Sequence, residues 1–339
     1  MPENYGRRYQ TPQVNLSRST NFRMWMVSFC AALAIIQSSL GDSFSSLLIA
    51  LSSVLAAVLT ELFLFYRTEE IEKLRDGSAV ASALVFSLLL PNTIHPIYAV
   101  MGAVFAMTVV KHSFGGLGAN WLNPAVGAWL FVRFSWPQVF LNALEGSPLL
   151  NIQAGENFLP VPASALDTAV RSFLNNMLFN PFGAMLPGGY IDLFQSSSPG
   201  IIADRGVLGL LLGSLFIISS QVSRAWASLA YLAVFGLVTR ISGALVSGGQ
   251  FWQGNVLFYL LSGGTLAAAF ILIADTVSSP KSSWGILLAA VLSGFLSGLF
   301  RCLGAEPYGA IYAVGLFNAF LPLIRKIENR IFYGKRNIA

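Results

Sequence analysis

The sequence predicts an all-α integral membrane protein of about ten transmembrane helices, arranged as two five-helix inverted repeats. Three observations lead there. Hydrophobic residues make up 55% of the chain and charged residues only 10%, whereas a soluble domain carries about 25% charged residues. Apolar runs near the roughly 20 residues that a bilayer requires recur along the chain. Basic residues gather at the two ends: Arg7, Arg8, Arg18 and Arg23 precede the first run, while Arg325, Lys326, Arg330, Lys335 and Arg336 follow the last. That is the positive-inside pattern, and it predicts cytoplasmic termini and an even number of spans. The net charge of +5 therefore speaks of membrane orientation, not of a nucleic-acid partner.

In order, the predicted spans are residues 24–40, 44–66, 78–91, 96–111 and 125–142, then 206–221, 225–246, 255–274, 284–303 and 308–324. The first follows a polar leader without a small-residue cleavage site, so no signal peptide is expected. The third is short: Ala79 to Leu90 is apolar, then Pro91-Asn92 stops it, which predicts a half-helix or a span extended by polar residues before it. The organisation is a cytoplasmic segment 1–23, a first membrane half 24–142, a periplasmic-side loop 143–205, a second membrane half 206–324 and a basic cytoplasmic tail 325–339. Within the loop, Leu166 to Leu178 has apolar residues at helical spacing and predicts an amphipathic surface helix. Gln195 to Gly200 reads as a turn-forming linker.

An internal echo supports the repeat. Gly77-Ser78-Ala79-Val80-Ala81-Ser82-Ala83-Leu84-Val85-Phe86 resembles Gly264-Thr265-Leu266-Ala267-Ala268-Ala269-Phe270-Ile271, and Gly115 to Asn120 resembles Cys302 to Glu306. Five spans per half, an odd number, would insert the halves with opposite orientation and line a site with broken helices. Small residues also recur in membrane helices simply because they ease packing.

The most informative stretch is Lys111-His112-Ser113-Phe114-Gly115-Gly116-Leu117-Gly118-Ala119-Asn120-Trp121-Leu122-Asn123-Pro124-Ala125. Its glycines allow tight winding and close approach to a planar ligand. Asn120 and Asn123 can donate and accept hydrogen bonds, and Pro124 suits the first position of a helix. Irregular polar backbone at a bilayer edge survives where protein or a wet cavity satisfies it, so the stretch predicts a ligand or cofactor pocket. Charged residues within spans carry a similar message. Arg240 interrupts an apolar span and is the leading functional candidate among the arginines, with snorkelling expected for Arg301 and open to Arg133. Glu61 is a candidate for ion pairing or cation attraction. Asp275-Thr276-Val277-Ser278-Ser279-Pro280 supplies hydroxyls and a carboxylate beside a turn. Cys30 and Cys302 lie in apolar surroundings without CxxC spacing and read as packed thiols. No Ser-His-Asp, HExxH or P-loop pattern is present in the sequence.

With these residues in view, the chain resembles the NqrB/RnfD family, membrane subunits of Na+-translocating NADH:quinone reductase and of the Rnf electron-transport complex. The Lys111 to Pro124 run looks like the RnfD form. Gly263-Gly264 through Asp275-Thr276-Val277-Ser278-Ser279-Pro280 looks like that family's second motif, and Asn318 with Leu321-Pro322-Leu323-Ile324 like its third. The resemblance implies a flavin-carrying subunit, inactive alone, that passes electrons between partner subunits and couples transfer to Na+ or H+ movement. It implies FMN joined by a phosphoester to a threonine in the outer loop, for which Thr168 is the counterpart, attached by a flavin transferase; riboflavin is a possible second flavin. Ala165-Leu166-Asp167 replaces the residues usual before that threonine. The cofactor-binding set is then Thr168, Lys111, His112, Gly115, Gly116, Asn120, Asn123, Asp275 and Thr276, in a bacterial inner-membrane protein. The competing readings are a channel or secondary transporter for a small solute, and a scaffold subunit that has lost its flavin.

Overall fold

In a computed structural model, the chain is described over residues 19–41, 44–68, 71–116, 118, 120, 122–144, 164–183, 189–194, 200–222, 224–243, 245, 250–252, 254–273, 275, 278–280, 282–303 and 307–333. Among these residues the structure is helical, without a strand; an isolated bridge pairs Pro91 with Ile201. In chain order the α-helices are α1 (Thr20–Leu40), α2 (Ser45–Thr68), α3 (Ser78–Leu88), α4 (Pro96–Phe105), α5 (Pro124–Ser135), α6 (Pro137–Leu144), α7 (Ala165–Leu174), α8 (Tyr190–Phe194), α9 (Ile202–Arg205), α10 (Val207–Ser219), α11 (Ala225–Ser242), α12 (Val256–Leu261), α13 (Thr265–Ala267), α14 (Ser283–Cys302) and α15 (Gly309–Tyr333).

Among the described residues five helices are long and apolar enough to cross a membrane: Thr20–Leu40, Ser45–Arg67, Ala225–Ser242, Ser283–Cys302 and Gly309–Glu328. Three shorter apolar helices accompany them, Ser78–Leu88, Pro96–Lys111 and Val207–Ser219. The chain is thus a multi-pass membrane protein. Local chemistry starts each helix where expected. Ser19 and Ser282 cap α1 and α14 through their hydroxyls, and Pro124 and Pro96 occupy first positions, where a missing N–H costs nothing. Leu48, Leu51, Leu55, Leu59 and Phe63 leave α2 with an exposed apolar stripe, as a helix facing lipid should have.

Two predicted spans are interrupted. Residues 255–274 do not form one helix: α12 ends at Leu261, Gly263 and Gly264 take φ of 67° and 72°, and α13 then continues as a π-helix over Ala268–Leu272. Residues 125–142 break at Trp136, because Pro137 cannot continue the backbone ladder of α5. The third predicted span is an 11-residue helix, α3, about 16 Å long and short of the hydrocarbon thickness. Its exit is tied down: Ile202 N–H donates to Leu90 O at 2.9 Å.

Small residues join the first half to the second. A Cβ on Gly206 or Gly209 would strike the backbone of Ala34 or Leu33, and one on Gly213 would lie 2.7 Å from the Cα of Cys30. Lipid offers no hydrophobic drive for helix pairing, so close packing of this kind supplies the attraction between α1 and α10. Both cysteines are buried free thiols. The arginines exchange the expected roles. Arg240 is exposed at the end of α11, donating to Gly254 O at 3.1 Å. Arg301 is 5% exposed and donates to Ser262 O, Ser262 Oγ and Pro307 O at 3.1, 2.9 and 2.7 Å. Hydropathy counts residues along a helix and cannot see the break at Gly263, into which the Arg301 side chain fits.

Candidate functional site

A cleft opens at the start of α1. Arg23, Met24 and Val27 form one wall, Ala81, Ser82 and Val85 of α3 a second, and Ile217, Val222, Phe270 and Ile271 the apolar remainder. Its polar rim consists of Lys111, Asn120, Asn123, Asp275 and Ser278. Its enclosed volume is about 70 Å³, and the space widens into an open mouth.

The rim is built by the glycine–asparagine stretch. α4 continues as a π-helix over Ala106–Lys111, which re-aims its last side chains, and then tightens into a 3-10 turn over His112–Phe114. Gly115, Gly116 and Gly118 follow with φ of 102°, 85° and 98°. Within the chain a Cβ on Gly116 or Gly118 would meet nothing within 4 Å, so left-handed backbone, not crowding, demands glycine there. With its amide nitrogen as donor, Asn120 bonds Lys111 O at 3.1 Å and Gly116 O at 2.8 Å and closes the turn. Asn123 Oδ1 accepts from Ala125 N–H at 2.9 Å and caps α5. Its Nδ2 donates to Asp275 Oδ2 at 2.9 Å, and Ser278 Oγ donates to the same oxygen at 2.6 Å. Two motifs 152 residues apart are thereby joined by one hydrogen bond.

Beneath the rim lies a buried charge cluster. Lys111 Nζ is paired with Glu61 Oε1 and donates to Ser78 Oγ at 2.5 Å; Ser78 Oγ donates to Asp76 Oδ1 at 2.5 Å. The side chains of Lys111 and Glu61 are 2% and 1% exposed. His112 Nε2 lies 3.1 Å from Glu61 Oε1, and its ring stands edge-on to Phe65 at 5.2 Å. A buried pair of this kind has a high desolvation cost and tolerates loss of neither partner alone. Glu61 stood out in the sequence as a charge inside a span and Lys111 as the head of the glycine–asparagine stretch, but their pairing did not, because contact across helices leaves no local pattern.

The structure therefore collects Lys111, Asn120, Asn123 and Asp275 around one cleft. His112 stands behind Lys111, on Glu61, and Gly115 and Gly116 shape the turn without lining the cleft. Thr276 lies outside the described residues. Arg23, counted in the sequence only as a basic flank, lines the cleft with a buried Nε that has no partner among the described residues.

Thr168 sits elsewhere. It is exposed on α7, where its Oγ1 donates to Ser164 O at 3.1 Å. Ser164 caps the helix by accepting from Asp167 N–H at 3.0 Å and donates to Asp192 Oδ1 at 2.5 Å. Asp167, adjacent to Thr168 in sequence, turns inward and accepts from Ile191 N–H at 3.0 Å. The threonine thus stands near a helix N-terminus, where the backbone favours negative charge, with its neighbouring carboxylate directed away. α8 reports the distance from the cleft: Phe194 O accepts from Gln37 Nε2 at 2.7 Å, and Gln37 lies fourteen residues beyond Arg23, roughly 21 Å along α1.

Comparison with known proteins gives this geometry a family. Over 96% of its length the chain is 27% identical to the D subunit of the proton-translocating ferredoxin:NAD(+) oxidoreductase complex of Clostridium ljungdahlii, covering 95% of that protein. It is 26% identical to the D subunit of the Na(+)-translocating ferredoxin:NAD(+) oxidoreductase complex of Acetobacterium woodii, over 84% of this chain and 81% of that one. It is 31% identical to the D subunit of the ion-translocating oxidoreductase complex of Shewanella amazonensis, over 87% of each. The model of the NQR2, RnfD, RnfE family matches residues 8–334, and the chain belongs to that family.

Proposed function

We propose that this chain is the flavin-holding membrane subunit of an Rnf-type ion-translocating oxidoreductase. It passes electrons between partner subunits and couples their transfer to movement of Na+ or H+. The observation that carries the reading is the convergence of Asn120, Asn123 and Asp275, from two separate motifs, on one cleft with a buried cation at its edge. A flavin bound there would supply reversible electron acceptance, which no side chain of the cleft provides.

The residues present suit such a group. Asn120 has committed its amide nitrogen to two carbonyls, so its oxygen is what it can offer a ligand. Asn123 keeps one N–H beyond its bond to Asp275. Phe270 and Ile271 exclude water from the apolar wall. Arg23, with its free Nε, favours a ligand that gains negative charge. We assign Thr168 as the acceptor for FMN, attached by a flavin transferase, and the cleft as the place of riboflavin. A flavin in the cleft and one on the outer-loop threonine would give electrons a path between the faces of the membrane.

The same reading takes the chain to be an inner-membrane protein of ten spans in two inverted halves, with the divisions drawn from the sequence. Support comes from Gly77 and Gly264, which cap α3 and α13 with the same left-handed backbone, φ 72° in each. Exposed Trp25, Trp226 and Trp284 near the starts of α1, α11 and α14, and Tyr66 near the end of α2, fit an aromatic belt. The belt lies at the cleft end, beside the basic N-terminal flank, which supports cytoplasmic termini.

Ultraviolet fluorescence of the denatured chain, produced with a flavin transferase, tests the covalent site. A band that disappears in Thr168→Val supports the reading, and mass spectrometry of the peptide spanning residues 161–176 identifies the adduct. A chain purified without chromophore that equilibrates a solute across liposomes would establish the transporter instead.

A further inference from the structure

The charge cluster behind the cleft is one continuous hydrogen-bonded line whose members differ in their access to water. The His112 side chain is 18% exposed, whereas Glu61 and Lys111 are 1% and 2% exposed. His112 Nε2 meets Glu61 Oε1 at 3.1 Å, the same oxygen holds Lys111 Nζ, and Lys111 lines the cleft. We propose that His112, Glu61 and Lys111 form a proton-conducting line from the solvent edge to the cleft, delivering the proton taken up when a flavin held there is reduced. The proposal rests on the reading of the cleft as a flavin site.

Three features support conduction over a merely fixed ion pair. First, Glu61 Oε2 is buried without a hydrogen-bond partner among the described residues. An orphaned carboxylate oxygen is costly to maintain, and here it leaves the carboxylate a place to accept a passing proton. Second, the direction is set at the far end. Ser78 Oγ gives its only hydrogen to Asp76 Oδ1, so towards Lys111 it acts as acceptor. Lys111 is thereby held as a donor between two acceptors, Ser78 and Glu61. Third, the π-helical segment before Lys111 puts Lys111 and His112, consecutive residues, on the same carboxylate oxygen. In an ordinary helix neighbours in sequence point about 100° apart. Among the described residues, Asp76 before α3 joins the line through Ser78, and Arg23 of α1 and Asp275 line the cleft at its end.

The step balances in protons and moves no electron. Lys111 releases a proton from Nζ into the cleft. The His112 imidazolium passes a proton to the Glu61 carboxylate, Glu61 hands it on to the resulting Lys111 amine, and the imidazole regains a proton from bulk water. One proton enters, one leaves, and each side chain returns to its starting charge. The electrons come from the external reductant.

The test uses the full-length chain, made without a flavin transferase so that Thr168 stays bare, and loaded with riboflavin in detergent. Reduced methyl viologen, which releases no proton on oxidation, is mixed rapidly with it in weak buffer containing a pH indicator. Flavin bleaching reports electrons and the indicator reports protons. In the unaltered chain the two signals should run together. In His112→Gln, bleaching should persist while proton uptake slows by at least about tenfold, and added imidazole should restore it. Glu61→Gln should show the same lag without rescue. Proton uptake in His112→Gln that keeps pace with bleaching, a lag that imidazole leaves unchanged, or an unaltered chain that takes up no proton overturns the line alone. An unaltered chain that binds no riboflavin overturns both the line and the cleft reading.

Discussion

Replacing Lys111 with methionine probes the charge cluster most directly. The substitution keeps the length of the side chain but leaves Glu61, 1% exposed, without its ammonium partner. Breaking a buried pair by removing one member costs about 3–5 kcal/mol. His112 remains 3.1 Å from the same carboxylate oxygen and can carry a positive charge, so the lower end, about 3 kcal/mol, is expected. At roughly 2 °C per kcal/mol for a large chain, the apparent midpoint of unfolding should fall by about 6 °C. The protein carries its own reporter, because Cys30 and Cys302 are both buried free thiols. A thiol-reactive fluorogenic dye therefore reacts only as the helices open. Adding Glu61→Gln to Lys111→Met removes the stranded charge and should restore most of the loss. A midpoint for Lys111→Met within about 1 °C of the parent, or a double variant no more stable than the single, would refute the claim that the pair is buried and coupled.

Other consequences can be checked in the same preparation. Gly213→Leu should cost at least about 1–3 kcal/mol, since its Cβ would lie 2.7 Å from the Cα of Cys30; the thiol assay reads this as early dye reaction. Gly116→Ala should lose only about 1 kcal/mol, the cost of φ 85° for a residue with a Cβ, because nothing stands within 4 Å of the added carbon. Asn123→Ala removes both the cap of α5 and the tether to Asp275. It should destabilise by about 0.5–2 kcal/mol and weaken riboflavin binding by about tenfold, measured by fluorescence titration. Asp204→Ala should expose the backbone at the α12–α13 break to proteolysis, because Gly263 and Gly264 N–H both donate to that carboxylate at 2.8 Å.

Much of this was legible in the residues themselves. Pro124 marked the first position of α5, and the composition alone required a multi-pass helical protein. The glycine–asparagine stretch identified the rim of the cleft because positive φ and side-chain amides leave a chemical signature. The unread parts have physical causes. The break at Gly263-Gly264 lies in an apolar run, and hydropathy does not register backbone handedness. Arg301 looked like an interfacial snorkel because its acceptors, Ser262 and Pro307, come from the loops at that break. The π-helical turns depend on one extra residue per turn, which no apolar spacing announces. Ser78 was visible only as a small residue, although its hydroxyl links Lys111 to Asp76.

The seam between α1 and α10 reaches beyond stability. Gly206, Gly209 and Gly213 press against residues near the beginning of the polypeptide, and Gln37 binds both Phe194 O and Gly209 N–H at 2.7 Å. The two portions of the molecule are therefore clasped through their own surfaces, and the intervening stretch is relieved of any tethering duty. Two polypeptides divided within that stretch would find each other again in the bilayer. Freed in this way, the stretch can carry chemistry of its own without disturbing the seam.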